Sequence, residues 1–171
     1  MSQELNKEWT YMSRRAVRYL SRFPSSEARF RTVMSTALKK RIEMAPTDTH
    51  PELVGFIDTL TTYVTELGYL DDRRLAEGLL NSYRRRGEAQ RLIRQKLKRK
   101  GIPAEIIADT LADHTEETEL ASAVRYVEKK RLAKDWGTLD YRGRQRILQR
   151  LARRGFSYGI ATKALEMVRE R

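Results

Sequence analysis

At 171 residues, with no cysteine, two histidines and a formal net charge of +12, the chain excludes disulfides, thiolate metal sites and cysteine nucleophiles, and leaves little material for zinc or histidine-triad chemistry. The length fits one compact domain or a short array of small units, and 35 Lys and Arg against 23 Asp and Glu point to a polyanionic partner. No window approaches the ~18 uninterrupted apolar residues of a membrane span. Met1 to Trp9 lacks a secretory signal, so a cytoplasmic protein with no membrane partner is expected.

Apolar spacing predicts helices throughout and no convincing strand. Trp9, Met12, Ala16, Tyr19 and Leu20 recur at three and four over 9–22, closed by Phe23-Pro24. Ser25 or Ser26 can cap a second helix to about Glu43, with Phe30, Val33, Met34, Ala37 and Leu38 as its stripe. After a loop at Ala45 to His50, Pro51 suits the first turn of a third helix, whose Leu53, Phe56, Ile57, Leu60, Tyr63, Val64 and Leu67 form an apolar face before Gly68. Asp71 or Asp72 can cap a fourth helix to Arg86, stopped by Gly87. A fifth runs from about Glu88 to Lys100, stopped by Gly101, and Pro103 opens a short sixth through Ala112. A seventh runs to about Ala133, carrying Leu120, Ala123, Val124, Val127 and Leu132. An irregular stretch over Lys134 to Asp140 precedes the last two, Tyr141 to Arg154 and Ser157 to Arg169.

An internal repeat organises these helices. Ile93 to Leu111 aligns without a gap on Ile147 to Leu165, with seven of nineteen positions identical, among them Gly101/Gly155, each followed by an apolar residue, Ile102/Phe156. A left-handed helix terminus costs least without a Cβ, which explains the matched glycine. The expected fold is all-α: tandem three-helix repeats over 1–70, 71–113 and 114–171, about nine helices, stacked into an elongated, curved array.

The charge is uneven. Residues 1–83 hold 12 Lys and Arg against 11 acids, whereas residues 84–171 hold 23 against 12. Arg84 to Lys100 carries nine basic residues and one acid, Glu88, and Arg142 to Arg154 carries six and none. At about 100° per residue, Arg142, Arg146, Arg150 and Arg153 share roughly a quarter turn opposite Ile147, Leu148 and Leu151. Arg91, Arg94, Lys98 and Arg99 form a like stripe opposite Ile93 and Leu97, and Lys129 and Lys130, with Arg131 and Lys134, form a third cluster. A solvated face usually mixes signs; these stripes lack balancing acids, and the arginine fork suits phosphate or carboxylate. Without a finger or helix-turn-helix pattern, contact with backbone and not base readout is expected. The near-neutral first repeat reads as a packing or protein-contact element.

No Walker-type loop is present, carboxylates form no cluster with a nucleophile or metal-like spacing, and His50 and His114 read as solvated or loop-facing. Neither an enzyme nor a cofactor is expected.

Gly68-Tyr-Leu-Asp-Asp72, Leu75-Ala-Glu77, Arg85-Arg-Gly87, the Ile93 to Ile102 run and Arg153-Arg-Gly-Phe-Ser157 resemble the RecX family of bacterial regulators of the RecA recombinase, over about Tyr11 to Val168. The resemblance implies three-helix repeats and a non-enzymatic protein that lodges along the groove of the RecA filament on DNA. There it would restrain ATP turnover, strand exchange and co-protease activity, and it would also bind single- or double-stranded DNA directly, as a monomer. It singles out Arg85, Arg86, Arg94, Lys100, Arg153 and Arg154. With Arg84 and the stripes, the expected contact set for RecA or DNA is Arg84, Arg85, Arg86, Arg91, Arg94, Lys98, Arg99, Lys100, Lys129, Lys130, Arg142, Arg146, Arg150, Arg153 and Arg154. Three positions depart from the family's pattern: Leu75 where Phe is common, Glu88-Ala-Gln90 where a Gly-Pro-type turn is common, and Lys96 where an acid is frequent. The first repeat also lacks the Lys-Gly turn. Sequence-independent DNA binding without RecA is the main alternative, and an RNA-binding or scaffold role the third.

Overall fold

A computed structural model describes residues 3–44 and 55–170. These contain nine helices and no strand: α1 Gln3–Arg22, α2 Glu27–Met44, α3 Phe56–Glu66, α4 Asp72–Arg85, α5 Gln90–Arg99, α6 Ala104–Thr110, α7 Glu116–Lys130, α8 Tyr141–Arg153 and α9 Tyr158–Arg169. The expected loop over Ala45 to His50 and the Pro51 start of the third helix lie outside the described residues. Two compact units form, Met1–Leu75 with Lys100–Pro103, and Ala76–Arg99 with Ala104–Arg171.

In the first unit, α1, α2 and α3 pack on one another. Each contributes a row at spacing four: Met12, Ala16 and Leu20; Phe30, Met34 and Leu38; Phe56, Leu60 and Val64, all buried in one core. Side chains of the size of Phe30 and Leu60 each contribute about 1.5–3 kcal/mol on full burial. Trp9 closes one end, edge-on to Phe56 at 5.7 Å and to Tyr63 at 5.5 Å. The first helix starts six residues earlier than apolar spacing predicts, because Gln3 to Glu8 mostly favour helix but carry a single apolar residue, Leu5, and so no stripe to read. The third helix buries less than expected: Tyr63 and Leu67 stay 36% and 50% exposed, while Thr61 is buried with its hydroxyl on the Ile57 carbonyl.

The two aspartates at the start of α4 do different things. Asp71 accepts the Arg74 N–H at 2.9 Å and caps α4. Asp72 instead accepts the Glu27 N–H at 2.9 Å, capping α2 from across the unit. Burial, outweighing that hydrogen bond, raises the Asp72 carboxyl above its usual range. Ser26 completes the same helix start, accepting the Arg29 N–H at 3.2 Å and donating its hydroxyl to the Lys100 carbonyl at 2.5 Å.

In the second unit, α9 packs against α7 and α8, and α5 against α6. Its core gathers Ala123, Val127, Trp136, Leu148, Leu151, Phe156, Ala164 and Leu165, among others. The matched glycines of the repeat both adopt left-handed φ, 81° at Gly101 and 93° at Gly155, and the apolar residues after them are buried. A Cβ on Gly155 would lie 3.2 Å from the Ala89 Cβ, and one on Gly101, in the first unit, 2.9 Å from the Ser26 Oγ. The turn glycine thus meets the start of an earlier helix in each unit.

Three boundaries differ from expectation in this unit. The fifth helix begins at Gln90 and not Glu88, because Gly87 turns left-handed (φ 65°), the Glu88 N–H returns to the Tyr83 carbonyl and the Ala89 N–H is taken by the Arg154 carbonyl. The short sixth helix ends at Thr110, two residues before Ala112, and Ala112 closes a turn onto Asp109. The seventh helix ends at Lys130 and not Ala133: Arg131 takes φ 51°, and the Leu132 N–H bonds back to Val127. Leu132 and Ala133 remain buried, so the apolar pattern outruns the helical backbone.

Candidate functional site

Fourteen of the fifteen expected contact residues fall in the second unit, and Lys100 in the first. Thirteen are exposed; Arg84 and Arg154 are half-buried. On α8, Arg142, Arg146, Arg150 and Arg153 all face solvent, while Leu148 and Leu151 are buried and Ile147 half-buried. On α5, Arg91, Arg94, Lys98 and Arg99 are exposed, and Ile93 and Leu97 are buried. None of these eight cations has an ion pair among the described residues. Asp140 accepts the Gly143 N–H at 2.7 Å and fixes where α8 begins, hence the phase of its stripe. Lys129 and Lys130 occupy the last turn of α7, where cations also complement the helix dipole.

The C-terminal end of α8 and the start of α5 meet at the α4–α5 turn. The Ala89 N–H donates to the Arg154 carbonyl at 3.2 Å, and Gly155 sits against Ala89 and Leu92. On another side, Gly87 packs so closely on α7 that a Cβ there would lie 2.8 Å from the Tyr126 Cβ. Arg125 donates to the Arg84 carbonyl at 3.2 Å and brings a further exposed cation to this turn that sequence reasoning did not select.

Two expected contacts are partly spent on structure. Arg154 lies 3.8 Å from the buried Glu88 carboxylate and 4.9 Å from the Tyr126 ring centroid. Arg84 has Nε and Nη2 buried without a hydrogen-bond partner. Glu88 is bound mainly by Lys96, at 2.6 Å, so two of the positions that depart from the family's pattern meet each other. Arg144 is also structural, donating to the Leu139 and Gly137 carbonyls beside Trp136.

His114 lies in the loop before α7, as one of the two readings had it, but its imidazole is not solvated. Its side chain is 5% exposed and its Nε2 lies 2.6 Å from the Glu119 carboxylate, which also accepts the Gln90 N–H at 3.0 Å. The ring thus holds the acid that caps α5. His50 lies outside the described residues.

A cationic stripe was missed in the first unit. Lys7, Arg14, Arg15, Arg18 and Arg22 are exposed on α1, without an ion pair among the described residues. The near-zero net charge of residues 1–83 concealed it. Among the described residues no group of three His, Cys, Asp or Glu could hold a metal ion, and no helix is long and apolar enough to cross a membrane.

Residues 71–111 match the family model described as RecX, second three-helix domain. The regulatory protein RecX of Myxococcus xanthus is 33% identical over 161 residues, 92% of this chain and 85% of that protein. The RecX of Deinococcus radiodurans is 30% identical over 142 residues, covering 82% of this chain and 63% of the relative. The crystal structure of RecX from Lactobacillus salivarius superposes with a TM-score of 0.72 at 21% identity, covering 95% of this chain and 97% of that one. With identity at that level over most of both chains, and an all-α fold that agrees, this chain belongs to the RecX family of regulatory proteins.

Proposed function

We propose that the protein binds RecA filaments on DNA and mainly inhibits RecA's ATPase, strand exchange and co-protease activity, lodging in the filament groove through basic helix faces. The observation that carries this reading is the α8 arc: four exposed arginines on one face, without a balancing acid, opposite Leu148 and Leu151. Unpaired like charges repel one another, and an anionic surface relieves that repulsion. The parallel stripe on α5 supports the same reading. Family membership supplies the RecA side of the proposal, and the arginine-rich faces supply an affinity for phosphate that is independent of base sequence. The proposal includes a cytoplasmic monomer built of three repeats, 1–70, 71–113 and 114–171.

The test is the triple variant Arg146→Ala, Arg150→Ala and Arg153→Ala, added to RecA on single-stranded DNA while filament length is followed by electron microscopy. The wild type should shorten filaments at stoichiometric amounts and the variant should not, with helix content unchanged in both. Shortening by the variant as strong as by the wild type would contradict the assignment of α8. If instead the wild type suppresses any DNA-bound enzyme, RecA or not, the protein is a sequence-independent DNA binder acting without RecA.

A further inference from the structure

The outer face of α1 carries a cationic stripe of its own, apart from those of α5 and α8. With Lys7 set to zero and about 100° per residue, Tyr11, Arg14, Arg15, Arg18 and Arg22 all fall inside an arc of roughly 100°. Met12, Ala16 and Leu20 occupy the opposite side and are buried. The stripe runs about 22 Å along the helix, long enough to contact several successive phosphates of an extended strand. Between its side chains lies an open groove of about 790 Å³, lined by Lys7, Tyr11, Arg14, Arg15 and Arg18 among others. A neighbouring groove of about 370 Å³ shares Arg14 and Arg18 and has Tyr63 on its far side.

The aromatic rings decide what such a surface fits. Tyr11 is 42% exposed and Tyr63 36%, so the arginine ladder is flanked by a tyrosine in each groove. Both rings are held in place. The Arg41 guanidinium covers Tyr11 at 4.1 Å from the ring centroid and is itself anchored by the Glu8 carboxylate; Tyr63 leans edge-on against Trp9. A lipid surface would need aliphatic side chains on the same face, and this arc has none. An acidic peptide would use the cations but leave the rings without a role. A single strand uses both, since phosphates take arginine and unstacked bases take aromatic faces.

We propose that this face of α1 is a binding site for single-stranded DNA, in which Arg14, Arg15 and Arg18 hold phosphates and Tyr11 and Tyr63 offer stacking faces to bases. The site lies wholly in the first unit and needs no RecA, so it stands or falls separately from the regulatory reading.

The experiment is fluorescence anisotropy of a labelled 15-nucleotide oligo-dT titrated with the full chain from about 50 to 300 mM salt. Arg14→Ala with Arg18→Ala should weaken binding at least fivefold at low salt and reduce the salt slope by about 1.4, two contacts at ~0.7 each. Tyr11→Leu should weaken binding about fivefold at every salt concentration and leave the slope unchanged, because stacking releases no counterions. Arg14→Lys with Arg18→Lys, which keeps the charge, should bind within about twofold of wild type. All these side chains are exposed, and thermal melts should coincide within a few degrees. Wild-type affinity and slope in the Arg14/Arg18 double alanine variant would overturn the proposal. So would a Tyr11→Leu variant that binds as well as wild type, or a loss equally large for the duplex of the same sequence, since either removes the single-strand signature. The α8 triple variant, run in parallel, reports on the second unit alone.

Discussion

The Lys96 ammonium sits 2.6 Å from the carboxylate of Glu88, which is only 2% exposed. Lys96 also lies 4.8 Å from the Tyr83 ring centroid, and Arg154 approaches the same carboxylate at 3.8 Å. The second Glu88 oxygen has no hydrogen-bond partner, so removing Lys96 would leave a buried charge with one distant cation. We expect Lys96→Met to destabilise the protein by about 2–4 kcal/mol. The double variant Glu88→Gln with Lys96→Met should recover more than half of that, because the uncompensated charge is gone. Urea denaturation of the two single variants and the double closes the cycle, and a purely additive result would mean the pair is not coupled.

The turn glycines should rank by what a Cβ would strike. At Gly87 it meets the Tyr126 Cβ at 2.8 Å and the Ser122 carbonyl at 3.0 Å, at Gly101 the end of the Ser26 side chain at 2.9 Å, and at Gly68 nothing within 4 Å. All three have positive φ, so each alanine carries the left-handed penalty of about 1 kcal/mol, and only the first two add a collision. Melting temperatures should fall most for Gly87→Ala, next for Gly101→Ala and least for Gly68→Ala. Gly101→Val should be worse than Gly101→Ala.

Arg131 has the opposite sign. It holds φ 51° at the end of α7 with an exposed side chain, a conformation glycine adopts freely. Arg131→Gly should therefore stabilise by roughly 0.5–1 kcal/mol, read as a rise in melting temperature.

Asp72 links stability to pH. Burial raises its carboxyl in the folded state above the ordinary value of 3.8, so the folded state holds the proton more tightly than the unfolded chain. Below 3.8 both states are protonated and the group carries no penalty. As pH rises through the raised folded value, ionisation in place costs stability, and the cost then stays constant. Asp72→Asn keeps an acceptor for the Glu27 N–H without a charge. Its stability relative to wild type should improve as pH climbs from about 3.8 and then level off. Asp72→Ala should lose about 1 kcal/mol through the missing cap at neutral pH.

What the sequence revealed and what it hid divide along physical lines. The rows Met12-Ala16-Leu20, Phe30-Met34-Leu38 and Ile93-Leu97 were legible because burial imposes spacing on a helix, and Gly101 and Gly155 because φ > 0 selects a residue type. Arg131 takes the same backbone without the residue that signals it, so the end of α7 was misplaced. Tertiary capping was also invisible: nothing local says that Asp72 serves α2, or that Glu119 serves α5 and orders His114. The α8 stripe could be read by phase alone, while the α1 stripe was hidden by summing charge over eighty residues instead of over one helix face. Glu88 and Lys96 looked like separate departures from a family pattern, and only the fold joins them.

The central claim, a regulator of RecA, is tested most directly by RecA's single-stranded-DNA-dependent ATPase, titrated with this protein alongside an unrelated DNA-dependent ATPase at the same salt. RecA turnover should fall progressively at stoichiometric amounts of the protein, with the unrelated enzyme unaffected. Unchanged RecA turnover, or equal suppression of both enzymes, would contradict the claim.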